Sequence, residues 1–492
     1  MKQYIYLILY FTLIIGQDTF DGYTLFTPQT PGGGTIQTRL MNNNFETIHT
    51  WNHSRGPASM AYLVSAQTYG FEGYGFENSI LIYPYRVSNP TMDAGGVGGG
   101  VQIVNWDGNI LWDYELSNNQ YQHHHDVQPL SNGNILMIAW ERFDASTWSN
   151  MGRTDVDNAL NEMWGTAILE IQPNLEDGTA EIVWEWHIFD HLVQDRGPEY
   201  EATYGNISDY PELMDINCGN VGSSGPGNAN ADWMHINAID YNETLDQIAL
   251  SSRFQSEIYI IDHSTTTEEA ASHSGGNAGM GGDFLYRWGN PQNYDRGNSA
   301  DQILDDQHSI NWIDAGSPGE GNLILFNNNH GNNASAGLEF MPPLNEDGTY
   351  RIDDGLAYAP QSEEWLYYPG GGFHTSVQGG TFRLPNGNTL LTDADDTEIR
   401  EVTDNGIIVW EYDYPGSNNS LIARCDKYGI NYFDQQAAIG DLNYDDIINI
   451  LDVIILVNMA LNNTEDDLNG DMNSDGIINI LDVVILVGII LG

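Results

Sequence analysis

The chain has 492 residues, 41% of them hydrophobic, with 53 Gly, 27 Tyr and 13 Trp, a composition that suits packed aromatic strands joined by tight turns and argues against disorder. Its 69 acidic against 15 basic residues give a formal net charge of -54, which repels phosphate backbones and anionic lipid and argues against nucleic acid as a partner. The length could hold about three average domains, although large all-β folds often run past that size as one unit.

At the start, Met1 and Lys2 precede an apolar run from Tyr4 to Ile15, after which Gly16, Gln17 and Asp18 restore polarity. This pattern predicts a signal peptide over residues 1–17 and a secreted, cell-surface or periplasmic protein. The run is too short for a comfortable membrane span, so the mature chain is expected to have none.

From residue 18 to residue 432 a strand pattern recurs. Gly108 to Tyr114 (GNILWDY), Ala180 to Trp186 (AEIVWEW) and Gly406 to Tyr412 (GIIVWEY) each carry an apolar strand, Trp, an acid and an aromatic. An Asn-Gly turn before an apolar strand occurs at Leu130 to Leu136 and at Leu384 to Leu390, and both turn residues tolerate positive φ. Strand and turn units recurring with almost no helical periodicity predict an all-β fold of radially repeated small sheets, a β-propeller. The Gly/Asn/Ser stretches Cys218 to Asn230 and Ser272 to Asp283 read as loops, as does Gly96 to Gly100, which lacks the Lys-Ser/Thr and helix of a phosphate cradle. Cys218 and Cys425, the two cysteines, could form one long-range disulfide or remain two buried thiols.

Thirteen histidines against fifteen Lys plus Arg is an unusual ratio. His123, His124 and His125 lie in YQHHHDVQPLSNGN, His235 in DWMHINAIDY upstream of Arg253, His308 in DDQHSINWID, His330 in NNNHGNN and His374 in GGFHTSVQGG. Most precede an apolar strand, which in a propeller brings them near the central channel. Apart from the three adjacent histidines, which are expected to diverge on a strand, no H-x-H or H-E-x-x-H pair supports a metal site. His49, His53, His187, His191, His263 and His273 receive no functional assignment.

The opening GYTLFTP, HHD before an NGN hairpin, DWMHIN with SSR downstream, QHSINW, RLPNGNTL and the closing IIVWEY, in that order from Gly22 to about Tyr414, resemble the bacterial arylsulfotransferase family. The resemblance implies a secreted six-bladed propeller that moves a sulfuryl group from an aryl sulfate to a phenolic acceptor through a sulfohistidine, with no nucleotide sulfate donor. It implies catalytic roles for His235, His308, His374 and Arg253, with His374 as nucleophile, and substrate-binding roles for His124, His125 and His330. Imidazole suits this chemistry because it is nucleophilic near neutral pH and can pass the phenol proton, while Arg253 can hold sulfuryl oxygens. An arginine that the family carries shortly after QH is absent, and His330 stands in that region.

Residues 433–492 differ. Gly440 to Leu461 is followed by a close copy, Gly470 to Leu491. Asp441, Asn443, Asp445, the carbonyl of Ile447, Asn449 and Asp452 fall at positions 1, 3, 5, 7, 9 and 12 of an EF-hand-like loop, and Asp471, Asn473, Asp475, Ile477, Asn479 and Asp482 repeat those offsets. Such alternation turns successive oxygens toward one calcium ion. With Asp at the last position and immediate entry into an apolar helix, the segment resembles the dockerin family, which implies a small α-helical calcium module that binds a cohesin-like or cell-surface partner. Two rival functions are a non-catalytic propeller binding glycan or protein and a polysaccharide-active enzyme.

Overall fold

The computed structural model describes residues 18–29, 35–222, 229–416, 420–434, 440, 442, 448–461, 470–473 and 478–491. Six four-stranded antiparallel sheets form a six-bladed propeller. Blade 1 holds Gly22–Phe26, Ile36–Met41 and Thr47–His53 and is closed by the late strand Asp426–Gly429, which pairs with Gly22–Phe26 as its innermost member. Closing the ring with strands from both ends of the propeller sequence satisfies backbone groups that would otherwise form an open edge. Blades 2 to 6 run in chain order. Their innermost strands are Tyr62–Ser65, Tyr121–Pro129, Ile236–Asn242, His308–Trp312 and Gly380–Arg383.

The W-acid-aromatic repeat marks outermost strands. Trp112, Trp184 and Trp410 lie on Ile110–Glu115, Ala180–His187 and Ile408–Asp413, each with its indole buried. Each indole N–H donates to the third-to-fourth-strand connection of the next blade: Trp112 to the Thr179 carbonyl (2.9 Å), Trp184 to Thr265 Oγ1 (3.2 Å) and Trp410 to the Asn43 carbonyl (2.9 Å). Trp51, Trp288 and Trp365 do the same on the other three blades, reaching the carbonyls of Asn105, Pro360 and Asp404. A large apolar ring with one donor joins neighbouring blades by packing and by a directed bond. The sequence repeat is thus an inter-blade lock used six times round the ring.

Cys218 and Cys425 are free thiols with separate partners, Gln255 Oε1 (3.2 Å) and Thr392 Oγ1 (3.0 Å). The disulfide reading is therefore set aside in favour of two thiols.

A second compact unit comprises Ser65–Ser79 and Asn431–Gly492. Within it the helices Ile450–Ala460 and Ile480–Leu491 pack around Val453, Leu456, Met459, Val483 and Leu486. The segment Ser65–Ser79 joins this unit through Phe76, whose ring meets Phe433 edge-on at 5.0 Å, a partnership that sequence order does not suggest. Asp452 is fully buried and accepts from the backbone N–H groups of Leu442 and Asn449, both at 2.8 Å. Asp482, equally buried, accepts from Asn479 N–H at 2.7 Å. Of the expected calcium ligands, Asp441, Asn443, Asp445, Ile447, Asp475 and Ile477 lie outside the described residues, as does the expected signal segment 1–17. Among the described residues no helix is long and apolar enough to cross a membrane.

Candidate active site

The innermost strands of blades 3, 4 and 5 break register with their second strands, between His123 and Val127 (opposite Met137 to Ala139), between Ile236 and Ala238, and between His308 and Asn311. A non-glycine residue in the left-handed region lies in or beside each break: His125 at φ 54° and Ser309 at 60° within it, and His235 at 53° just before the strand Ile236–Asn242. A bulge re-aims the side chain it carries, and left-handed backbone at a non-glycine residue is costly enough to point to function. His124 and His125 consequently do not diverge as on a regular strand: their Nδ1 atoms meet at 2.9 Å. The His125 ring then lies edge-on to His235 at 4.6 Å. Gly96 makes room for it, since a Cβ there would lie 1.9 Å from the His125 ring. The glycine run read as a plain loop is therefore packing for an imidazole.

Flat apolar faces hold the rings: His124 stacks on Trp140 at 4.1 Å and His235 on Phe254 at 4.5 Å. Asp232 Oδ2 lies 2.5 Å from His235 Nδ1, and Asp232 Oδ1 accepts from the Trp140 indole at 3.0 Å. A carboxylate accepts only, so the His235 proton sits on Nδ1 and the lone pair on Nε2. His308 is held differently. Asn328 gives both amide hydrogens to the carbonyls of Thr375 and Gln378, leaving its oxygen to accept from His308 Nδ1 at 2.8 Å. His308 Nε2 accepts from Gln378 N–H at 3.2 Å. His308 thus fixes the 375–378 loop.

Arg253 completes the group. Its Nε and Nη2 form a two-bond fork with Asp306, both at 3.0 Å, and Nη2 reaches the Ser376 carbonyl at 3.3 Å. Arg253 is partly exposed, with its side chain 20% accessible, which leaves a cationic edge for an anion. Burial first, then the neighbouring His235, His124, His308 and Arg253, which would repel a second charge, holds the His125 imidazole well below its ordinary pKa. Burial, then Arg253, lowers His308 to about 3. Imidazoles so placed are neutral at pH 7 and keep a lone pair.

This gives a pH-dependent prediction. An unfolded imidazole takes up a proton below about pH 6.5, whereas buried His308 resists until about pH 3. Between those values the unfolded state binds more protons, so the His308 contribution to stability is present above about pH 6.5 and is lost on acidification, by up to about 1.4 kcal/mol per pH unit. His308→Gln, which retains a hydrogen-bonding amide, should therefore show a smaller stability deficit at about pH 5 than at about pH 7 in urea unfolding. An equal deficit at both pH values would mean that this imidazole is not held neutral.

The structure brings together His124, His125, His235, His308 and Arg253. It does not bring in His330, whose Nδ1 lies 3.4 Å from the Asn327 amide and whose ring lies 5.0 Å from Tyr368. His374 precedes the loop that His308 and Arg253 contact, but among the described residues its ring joins none of the hydrogen bonds of the cluster. Sequence reasoning missed Asp232, Trp140, Asn328 and Asp306. For Asp232 the spacing Asp-Trp-Met-His offered a signal, because an acid three residues before a histidine can turn back onto its ring.

Deeper on the inner strands, Arg424 bonds both Asp126 and Tyr62, and Tyr62 also donates to Asp126 at 2.7 Å. This network ties the inner strands of blades 2 and 3 to the segment that leads into the inner strand of blade 1.

A family model described as Arylsulfotransferase (ASST) matches residues 93–398, an interval that contains all five clustered residues. No curated protein matches the chain. Similar solved structures include a protein of unknown function from Bacteroides caccae, with TM-score 0.41 and 11% identity over 83% of this chain and 98% of that one. A 6-phosphogluconolactonase-like protein from Bacteroides fragilis scores 0.36 at 12% identity over 83% and 98%. Apo AztD from Citrobacter koseri scores 0.33 at 10% identity over 83% and 99%. Likenesses this distant carry no argument about function.

Proposed function

The chain belongs to the arylsulfotransferase family, and from that premise we propose that it is a secreted enzyme that transfers a sulfuryl group from an aryl sulfate to a phenol through a sulfohistidine on the propeller. The observation that carries this reading is the convergence of His125, His235 and His308 beside Arg253, with His235 Nδ1 held by Asp232. In this reading His235 Nε2 attacks sulfur. The N–S bond forms as the aryl S–O bond breaks, and the electron pair leaves on the phenolate oxygen. Asp232 balances the positive charge that grows on the imidazole, and Arg253 holds the sulfuryl oxygens. In the second half the acceptor phenol attacks sulfur, the N–S bond breaks, and the acceptor proton balances the one taken up by the departed phenolate. His124 and His125 form the wall of the substrate site. Sequence order alone favours His374 as nucleophile, and the two assignments differ in which variant still accepts sulfuryl.

The second unit is read as a dockerin-like calcium module. Its residues fit the ion: Asp482 is fully buried and its Oδ1 has no partner among the described residues, which is costly for a carboxylate unless a cation neutralises it. Asp441, Asn443, Asp445, the Ile447 carbonyl, Asn449 and Asp452 would hold one ion, and Asp471, Asn473, Asp475, the Ile477 carbonyl, Asn479 and Asp482 the other. Calcium supplies the charge that lets these oxygens crowd together. Ile450 and Ile480, Leu451 and Leu481, and Ile454 and Val484 are exposed at matching positions of the two helices, a doubled apolar face suited to a cohesin-like partner.

The test of the reaction is turnover. Purified protein mixed with para-nitrophenyl sulfate should release nitrophenol faster when a phenol acceptor is added, and the sulfated acceptor should accumulate in equal amount. Tight binding of glycan or protein with no release from any aryl sulfate would favour the binding-propeller reading instead.

A further inference from the structure

His191, His273 and Asp283 lie outside the cluster above, and one donor atom from each falls within 4.8 Å of the other two. His191 is fully buried. Its ring lies parallel to Trp186 at 5.5 Å, and its Nε2 lies 2.8 Å from the Ala270 carbonyl. Gly282 permits this approach, since a Cβ there would sit 2.6 Å from Nε2 and 2.1 Å from the carbonyl. A carbonyl only accepts, so Nε2 carries a hydrogen and Nδ1 is the nitrogen turned toward the other two residues. Nδ1 faces Asp283 Oδ1 at 2.8 Å. His273 Nδ1 converges on the same carboxylate, 2.8 Å from Oδ1 and 3.1 Å from Oδ2. Two nitrogens and a nearly buried carboxylate thus converge on one point, where a single cation can take the place of the protons that otherwise join them.

We propose that His191, His273 and Asp283 bind a divalent transition metal ion, zinc being the best fit to two imidazoles and one carboxylate. The hydrogen bond from His191 to a backbone carbonyl is the support that metal-binding histidines ordinarily have, because it fixes the tautomer and orients the ring. Metal–ligand bonds of about 2.0–2.1 Å at tetrahedral angles separate donor atoms by about 3.3 Å. The present 2.8 Å contacts therefore need to open by a few tenths of an ångström. His273 can supply that movement because its side chain is 53% exposed, and the same exposure leaves a coordination position to solvent. The carboxyls of Asp190 and Glu212 interact electrostatically with these residues, and burial raises the pKa of both. Since the site stands apart from Arg253 and the clustered histidines, the inference does not depend on the sulfuryl reading.

The test uses the full chain, stripped with chelator and returned to excess calcium so that oxygen-rich loops are filled. Wild type and His273→Ala are then titrated with zinc, following bound metal by elemental analysis and stability by thermal unfolding. The variant should bind one equivalent less zinc and lose a zinc-dependent rise in Tm that the wild type shows. Asp283→Asn, which keeps the side-chain shape, should weaken zinc binding in the same way. Cobalt in place of zinc should give the wild type an intense visible absorption that His273→Ala lacks. Equal zinc content and an equal Tm rise in wild type and His273→Ala would overturn the proposal and leave the three residues as an ion-paired network.

Discussion

Replacing His235 by alanine should lower sulfuryl transfer from an aryl sulfate by at least about a hundredfold, chiefly in kcat. His235 is the clustered imidazole whose Nδ1 is held by a carboxylate, at 2.5 Å from Asp232, leaving Nε2 as its free nitrogen. Its ring is buried against Phe254 and His125, so alanine also leaves a cavity. A second variant separates chemistry from packing. Asp232→Asn keeps the volume and can still accept from Trp140, but it removes the charge that stabilises the ring as nitrogen bonds to sulfur. It should lower kcat by about 10²–10⁴-fold with a smaller change in KM. His374→Ala should leave most of the rate, because that ring joins none of the hydrogen bonds of the cluster. If His374→Ala is inactive and His235→Ala turns over, the nucleophile is His374 and the order of motifs outweighs local geometry.

Removing calcium should unfold the helical unit. Asp452 and Asp482 are both fully buried, and leaving a buried charge without its partner costs about 3–5 kcal/mol. A unit of this size draws only about 3–5 kcal/mol from its core, so the uncompensated charge is comparable to all the stability it has. Excess chelator should abolish most of the helical far-ultraviolet signal of the segment Asn431–Gly492 expressed with calcium, and restoring calcium should bring it back. In the full chain, Asp452→Ala and Asp482→Ala should each reduce bound calcium by one equivalent. Unchanged helicity in chelator, or unchanged calcium content in both variants, would show that the duplicated loops are structural turns.

The blade pattern was legible because the outer strands repeat a physical device. A Trp followed by an acid and an aromatic marks three of the six strands whose indole reaches the next blade, and those three copies were conspicuous in the sequence. Trp51, Trp288 and Trp365 perform the same task in strands whose flanking residues differ, so the number of blades could not be counted from the repeats alone. The late strand Asp426–Gly429 was hidden for another reason: it pairs with Gly22–Phe26, some four hundred residues away, and nothing local announces such a pairing. At the candidate site the residue types were legible and their geometry was not. Alternation on a regular strand drives His124 and His125 apart, and only the bulge and the positive φ at His125 reverse that. Asp232 escaped notice because Asp is common in turns, whereas its value lies in folding back on His235. The pairing of His191 with His273 and Asp283 joins a blade 3 connection to a loop of blade 4, a meeting that only the ring of blades produces.

The most direct test of a sulfohistidine is the intact mass of the protein after brief mixing with para-nitrophenyl sulfate in the absence of acceptor. The wild type should gain the mass of one sulfuryl group, lose it when a phenol is added, and yield a peptide modified at His235, while His235→Ala should gain nothing. A wild type that neither acquires the group nor sulfates a phenol would contradict the account, and an adduct that persists unchanged in His235→Ala would move the nucleophile to another histidine.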